Sequence, residues 1–560
     1  MVNRYFIILI TLSYLFVNPL YAKNLYSSDF NSKSLSSYFS AIISYDNNKN
    51  TDALKFFLSS KSLIEIHEPY FKRYILSLVM EGEVKKAINE VKHYSKSKDL
   101  NFFEAHLLLA IDSINKKDFK KSLNYIDKLS NFKNDGTVEL ITYESLTDYV
   151  NLFQNKKIPS DKSNFGNLSL INKVFQNCYL NSPKTKNYFI SLINDDKVDY
   201  SRYIYFYMTY LIKENQINEA KELSNEINTL NNSLLVSQAK EWIDKKKFKK
   251  FSQVFSCTSE TDVLSEFFFL IANLYSSNNF LEKSNFFLNM SYYLNPKFNF
   301  NLSLLLENNK DSSDVSKKIL KNFNNKDNNV YYWYKIKKES KIILEEQGQQ
   351  KSFKFINSKF EKIKNPPIKF LFDMANISKN FEKYDFAIKY YNKVMLTVDQ
   401  NSDSYANLLY RRGTCYERLE QYAMADKDLL RSLEINSNDA YVLNYLAYSW
   451  LERGYKIQSA IKMLEKAHDQ EKNDPFILDS VGWAYYLIKD FKKAKIFLQK
   501  AIILMPDDPV VNDHYGDILW KLNKKIQATY YWKNTLTFEN TSEKIKKDIK
   551  IKLLKGPKKI

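Results

Sequence analysis

The chain has 560 residues and a formal net charge of +19, yet it contains only 9 glycines and 11 prolines. Sheet-rich folds need both residues at their turns, and phosphate-cradling loops need glycine for close backbone approach, so this scarcity predicts helix throughout. The G-x-G-x-x-G, G-x-S-x-G and G-x-x-x-x-G-K-[ST] patterns are absent, and with them the nucleotide-binding and hydrolase sites they build.

From the N-terminus, Arg4 precedes a 13-residue apolar run, Tyr5 to Val17, and Leu20-Tyr21-Ala22 ends in a small residue. This order predicts a secretory signal peptide over residues 1–22, cut after Ala22, because the run is well short of the about 20 residues that span a bilayer. The alternative is an uncleaved anchor. The region 23–155 then carries small residues at a fixed interval, Ala53, Ala87 and Ser122, which predicts helix-turn-helix repeats. Between 156 and 260 the pattern degrades. Asn155 to Asn167, with Pro159 and Gly166, reads as a linker, and Met208 and Ala220 mark one unit in an otherwise irregular helical region.

The repeat returns over 261–365, with Ala272, Tyr275, Ser284, Leu288, Ser291 and Pro296 in one unit and Lys318 and Ser352 marking two more; Asn365-Pro366-Pro367 interrupts it. From 366 to 540 the register is clearest. Gly413, Ala447, Gly482 and Gly516 recur at steps of 34 or 35, followed by Ala425, Ala460, Ala494 and Ala528, and then by Ser432, Ala467, Ala501 and Thr535. Small side chains at these points let antiparallel helices approach closely, while Leu409, Trp450, Leu478, Leu498 and Trp532 fill the space around them. Asp474-Pro475 and Asp508-Pro509 place an acidic N-cap before a proline at the first helical position. Repeats therefore start at 406, 440, 475 and 509. Residues 541–560 predict a closing amphipathic helix, with Ile545, Ile549 and Leu553 inward, and a basic tail.

This period with its small-residue landmarks resembles the tetratricopeptide repeat. The stretch Ser480-Val481-Gly482-Trp483-Ala484-Tyr485-Tyr486, followed by Ala494, Phe497, Ala501 and Pro506, is similar to that family's pattern. The resemblance implies an all-α fold, an α-solenoid of about 11 to 13 repeats wound as a right-handed superhelix, whose first helices line a concave binding wall. The segment Leu443 to Trp532 also resembles envelope proteins of Gram-negative bacteria with many such repeats. One type in that group is a lipoprotein adaptor that presents murein hydrolases to a processing protease. With the signal, this implies export to the periplasm; a lipid-bearing cysteine near the cut is missing.

Positions 5, 9 and 12 of each first helix lie about 100° from the core stripe and point into the groove. In the last four repeats the predicted partner-binding residues are Tyr410, Asn444, Tyr448, Asp479, Trp483, Tyr486, Asp513, Asp517 and Trp520. Such an aromatic and acidic wall would suit a segment with apolar anchors and Lys or Arg flanks. It has no basic residue at these positions, unlike family members that clamp a terminal carboxylate.

Cys178, Cys257 and Cys415 lie far apart in sequence. If only neighbouring repeats touch, they cannot pair and are expected to be free and buried. The histidines show no metal-ligand spacing. No catalytic, cofactor or metal site is expected, and the reading is a non-enzymatic scaffold or adaptor with protein or peptide partners. Residues 401–540 carry balanced charge, 541–560 hold 8 basic and 2 acidic residues, and no Arg-rich stripe exists, so no nucleic-acid partner is expected. Two alternatives remain: an enzyme with Cys178 or Cys257 as nucleophile in the irregular region, or a peptidoglycan or membrane-surface binder using the Lys-rich tail.

Overall fold

The computed structural model describes residues 32–557 apart from 48, 66, 97–99, 133, 135–136, 160–163, 195–200, 228–232 and 324–328. The expected signal at 1–22 and tail residues 558–560 lie outside the described residues. Those described form α-helices and two 3-10 turns, with no β-strand among them. The chain divides into two compact units, Met1–Ile342 and Ile343–Ile560.

In the first unit the helices are α1 (Ser32–Asp46), α2 (Asn50–Ser59), α3 (Glu68–Met80), α4 (Val84–Tyr94), α5 (Phe103–Asn115), α6 (Phe119–Leu129), α7 (Val138–Asn155), α8 (Asn167–Tyr179) and α9 (Thr185–Ile193). They continue as α10 (Ser201–Lys213), α11 (Ile217–Asn225), α12 (Leu234–Asp244), α13 (Lys249–Val254), α14 (Glu260–Ser277), α15 (Leu281–Leu294), α16 (Asn301–Asn308), α17 (Ser313–Asn322) and α18 (Asn329–Gln347), which runs past the unit boundary. The second unit holds α19 (Gln349–Phe360), α20 (Ile368–Asn380), α21 (Tyr384–Met395), α22 (Asp403–Arg418), α23 (Tyr422–Ile435), α24 (Ala440–Glu452) and α25 (Ile457–Gln470). It ends with α26 (Pro475–Leu487), α27 (Phe491–Leu504), α28 (Pro509–Lys521), α29 (Lys525–Thr535) and α30 (Glu543–Lys555).

The helix starts follow the sequence signals. Asp474 accepts from the backbone N–H groups of Phe476 and Ile477, and Asp508 from those of Val510 and Val511, so each carboxylate satisfies two orphan donors. The turn from first to second helix has a signature the residues do not advertise. A left-handed residue recurs there: Glu382, Glu420, Gly454, Lys489 and Asn523 in the second unit, and Gly82, Lys117, Asn181, Asn215, Lys246 and Asn279 in the first. Between 156 and 260, where small residues no longer mark the repeat, this backbone turn still does.

The small positions are where helices touch. A Cβ added to Gly482 would lie 2.6 Å from Leu498 Cγ, and one on Gly413 would lie 3.0 Å from Leu429 Cγ. At Gly516 the obstruction is the Trp532 indole. The helix α30 closes the second unit as expected, with Ile549 buried and Ile545 and Leu553 packed against the core.

The first unit departs from a plain stack. The α14–α15 hairpin packs back on α3, α4, α5, α7 and α8, tied by Tyr45 to Glu282, Lys318 to Glu81, and Lys283 to Glu139 (3.3 Å). This fold-back overturns the expectation for two cysteines. Cys178 at the end of α8 and Cys257 just before α14 form a disulfide with Cα atoms 5.7 Å apart, because α14 returns beside α8. Cys415 is free and buried, as expected. The same core buries a bidentate ion pair. Arg202 Nε and Nη2 reach Glu266 at 2.9 and 2.6 Å, with the guanidinium on the Phe269 and Phe300 rings. Such a pair specifies one packing more than it stabilises it.

Gly482→Ala tests the close approach. Alanine gains about 1 kcal/mol of helix propensity, but overpacking a tight contact costs about 1–3 kcal/mol. A net loss of about 1–2 kcal/mol in urea unfolding of the second unit is expected.

Candidate protein-binding groove

Each first helix of the second unit turns its core stripe, at positions 4, 8 and 11, into the hairpin, so the adjacent stripe at 5, 9 and 12 forms an inner wall. The structure sorts the predicted residues into three sets. Tyr410, Asn444, Tyr448 and Trp483 are half-buried on the wall. Tyr410 sets its edge against Tyr445, with ring centroids 5.9 Å apart. Asn444 keeps Oδ1 sealed from solvent without a hydrogen-bond partner. Trp483 stacks on His514 at 4.0 Å and on Tyr486 at 4.8 Å, and its Nε1–H donates to Glu452 at 2.9 Å. The indole is thus held in one orientation with part of its surface open.

Tyr486 belongs to the core. It is 2% exposed and backs the Trp483 ring, because its position turns inward on the tightly packed α26–α28 side. Trp520 is half-buried, but its ring lies against Trp532 and under the backbone at Gly556, so it seats the end of α30.

The acidic residues are already paired, which corrects the expectation of free carboxylates facing the groove. Asp479 is buried and receives His514 Nδ1–H at 2.9 Å. Asp513 and Asp517 both hold Lys552 Nζ, at 2.7 and 2.9 Å, and Trp532 Nε1–H donates to Asp517 at 3.2 Å. Burial pushes the Asp517 carboxyl up to about 7 against the pull of Lys552, and Lys552 is held above the ordinary lysine range because Asp517 and Asp513 more than offset its own burial. A buried acid needs such a partner, and here α30 supplies it.

One repeat earlier, the same positions read differently. In α20 they are Phe372, Asn376 and Lys379. Lys379 Nζ lies 6.0 Å from the Tyr410 ring centroid. Arg411, on α22, crosses back over Phe372 at 5.6 Å and donates from Nη1 to Asn376 Oδ1 at 3.2 Å.

The model of the tetratricopeptide repeat family matches residues 406–439, the unit formed by α22 and α23. That unit is a tetratricopeptide repeat. Among curated relatives, TPR repeat-containing protein PA4667 of Pseudomonas aeruginosa is 33% identical over 111 residues, 20% of this chain and 19% of that protein. Anaphase-promoting complex subunit 3 of Schizosaccharomyces pombe is 23% identical over 117 residues, 21% of this chain and 16% of that one. The chain thus spans less than a fifth of the length of these relatives. A solved tetratricopeptide repeat protein from Parabacteroides merdae covers 51% of this chain and 98% of its own, at 15% identity and a TM-score of 0.35.

His514 gives a pH prediction. Burial alone would lower its pKa, but the facing Asp479 and Asp513 carboxylates overcome that and raise it above 6.5, with Lys552 opposing. The folded value exceeds the unfolded one, so this pair's stabilisation is full below pH 6.5 and is lost as pH rises through the raised value. Asp517, also raised, contributes a loss of the same sign that is complete by about pH 7. Thermal melts of the wild type should therefore fall as pH rises above 6.5, and His514→Gln should make that fall smaller.

Proposed function

We propose that this chain is an exported, non-enzymatic scaffold of the periplasm that holds a protein segment against the inner wall of its second unit. The observation that carries the reading is the shelf formed by Tyr410, Tyr448 and Trp483. These are large aromatic surfaces, held by stacking and hydrogen bonds, that remain half-open. Pre-set aromatic anchors of this kind dominate protein interfaces because they bury area at low entropic cost.

Two features support export. Residues 1–22 have the order of a secretory signal, and Cys178 and Cys257 are joined, which suits an oxidising compartment. No described helix is long and apolar enough to cross a membrane. The disulfide also removes both candidate nucleophiles of the enzyme alternative, since neither sulfur is a thiolate. Burial pushes the remaining thiol, Cys415, up to about 11, with Lys379 and Thr414 opposing, which makes it inert. An envelope-assembly or proteolysis adaptor, as in the resembled proteins, is the role we assign.

In-cell crosslinking with mass spectrometry tests compartment and partner together; recovery of no protein partner across several crosslinkers would sink the proposal. Trp483→Ala is expected to weaken the recovered partner's binding by about 2 kcal/mol with an unchanged melt. Trp520→Ala is expected instead to lower the melting temperature, because it unseats α30. Alkylation of the native chain should label none of the three cysteines, and reduction before unfolding should expose only Cys178 and Cys257.

A further inference from the structure

The wall of the second unit carries cations whose charge the fold does not answer. Lys379, half-buried at a groove position of α20, has no hydrogen bond or ion pair. Arg411 bonds only neutral amides, Asn407 Oδ1 at 2.7 Å and Asn376 Oδ1 at 3.2 Å. Among the described residues, no carboxylate forms an ion pair with either. Arg418, two turns further along α22, adds a third positive group, 3.8 Å from Glu417, but that acid is shared with the Tyr445 hydroxyl at 2.8 Å.

Lys379 and Arg411 reach toward each other's repeat. Lys379 lies over Tyr410, next to Arg411, and Arg411 lies over Phe372 and Asn376, beside Lys379. Burial lowers the Lys379 pKa, and Arg411 and Arg418 lower it further as like charges. Desolvated like charges held together cost stability unless something anionic joins them. At the other end of the wall the situation is reversed. There Asp479 faces His514, and Asp513, Asp517 and Asp548 share the single cation Lys552. The Lys379 and Arg411 end of the wall is positive, although the residues at its C-terminal groove positions are acidic.

We propose that the groove takes an acidic protein segment, whose Asp or Glu side chains sit between Lys379 and Arg411 while its apolar residues lie along Tyr410, Tyr448 and Trp483. This deepens the groove reading and rests on it. The carboxylate accepts from Lys379 Nζ, over the Tyr410 ring, and from the Arg411 fork, over Phe372. A Lys- or Arg-flanked segment would instead bring like charge to this end.

The test uses the full chain and two fluorescein-labelled probes, octaglutamate and octalysine, followed by fluorescence anisotropy. Octaglutamate should bind, more weakly as salt approaches about 0.15 M, and octalysine should not. Lys379→Glu with Arg411→Glu should weaken octaglutamate at least about tenfold. Lys492→Glu with Lys500→Glu, the same change of net charge at exposed positions on the second helix α27, should leave it within about twofold. If the reversed pair fails to melt cooperatively, Lys379→Gln with Arg411→Gln replaces it and should show the same loss in smaller measure. Equal or tighter binding of octalysine, no loss in the groove variants, or an equal loss in the surface control overturns the proposal. The crosslinked partner separates the two readings. If Trp483→Ala releases it and the Lys379 and Arg411 variants do not, the groove stands and the acidic partner falls. If neither releases it, both fall.

Discussion

The second unit depends on one contact repeated along the chain, the meeting of a first-helix small residue with a second-helix side chain in the same hairpin. Gly413 admits Leu429, Gly482 admits Leu498, and Gly516 admits Trp532. The partner follows at a constant interval even though its volume changes from leucine to tryptophan. Close packing tolerates a larger knob if the hole opposite is a glycine, and it tolerates little else. Once this contact sets the rotation of the first helix, its neighbouring stripe must face away from the hairpin. The wall residues are thus placed by core packing, before any ligand is considered.

A second regularity acts between repeats. The residue at position 6 of one first helix crosses to the wall of the repeat before it. His514 meets Asp479, Tyr445 meets Tyr410, and Arg411 meets Asn376 and Phe372. The geometry is shared and the chemistry differs. Where the receiving residue is an acid, the crossing cation is neutralised and the pair becomes structural. Where it is an amide, the cation is held but keeps its charge. Asp513 and Asp517, in the last repeat, have no following repeat to cross back, and Lys552 of α30 takes that part. The closing helix is therefore an electrostatic cap as well as an apolar one.

These regularities explain what could be read from residues alone. Glycine and alanine spacing exposed the repeats from 406 to 540, because helix contact demands small side chains there. Asp-Pro pairs exposed helix starts for an equally local reason. The left-handed turn residue was illegible, since Lys117, Asn181, Glu382, Glu420, Lys489 and Asn523 share a backbone angle and no chemistry. Pairing across the chain was illegible too. Nothing near Cys178 announces that α14 returns beside α8, and an inventory of groove positions cannot show that Asp479 is answered by His514 one repeat later. Lys379 stood at a groove position in α20, one repeat before the region where the register was clearest. Extending the register by one unit would have found it.

The two units also handle the open face of a solenoid differently, and that difference bears on where a partner can bind. In the first, α14 and α15 pack on helices far away in sequence, so apolar surface that a stack would leave bare is buried by the chain itself, with the Cys178–Cys257 bond and the Arg202–Glu266 pair inside the same core. In the second, the main packing runs between successive helices from α20 to α30. Tyr410, Tyr448 and Trp483 are left half-buried there. An aromatic shelf kept open costs solvation free energy unless something covers it part of the time. The first unit thus covers apolar surface with its own chain, and the second leaves an aromatic shelf half-open beside Lys379 and Arg411. That contrast is the physical ground for placing the proposed docking surface on the second unit.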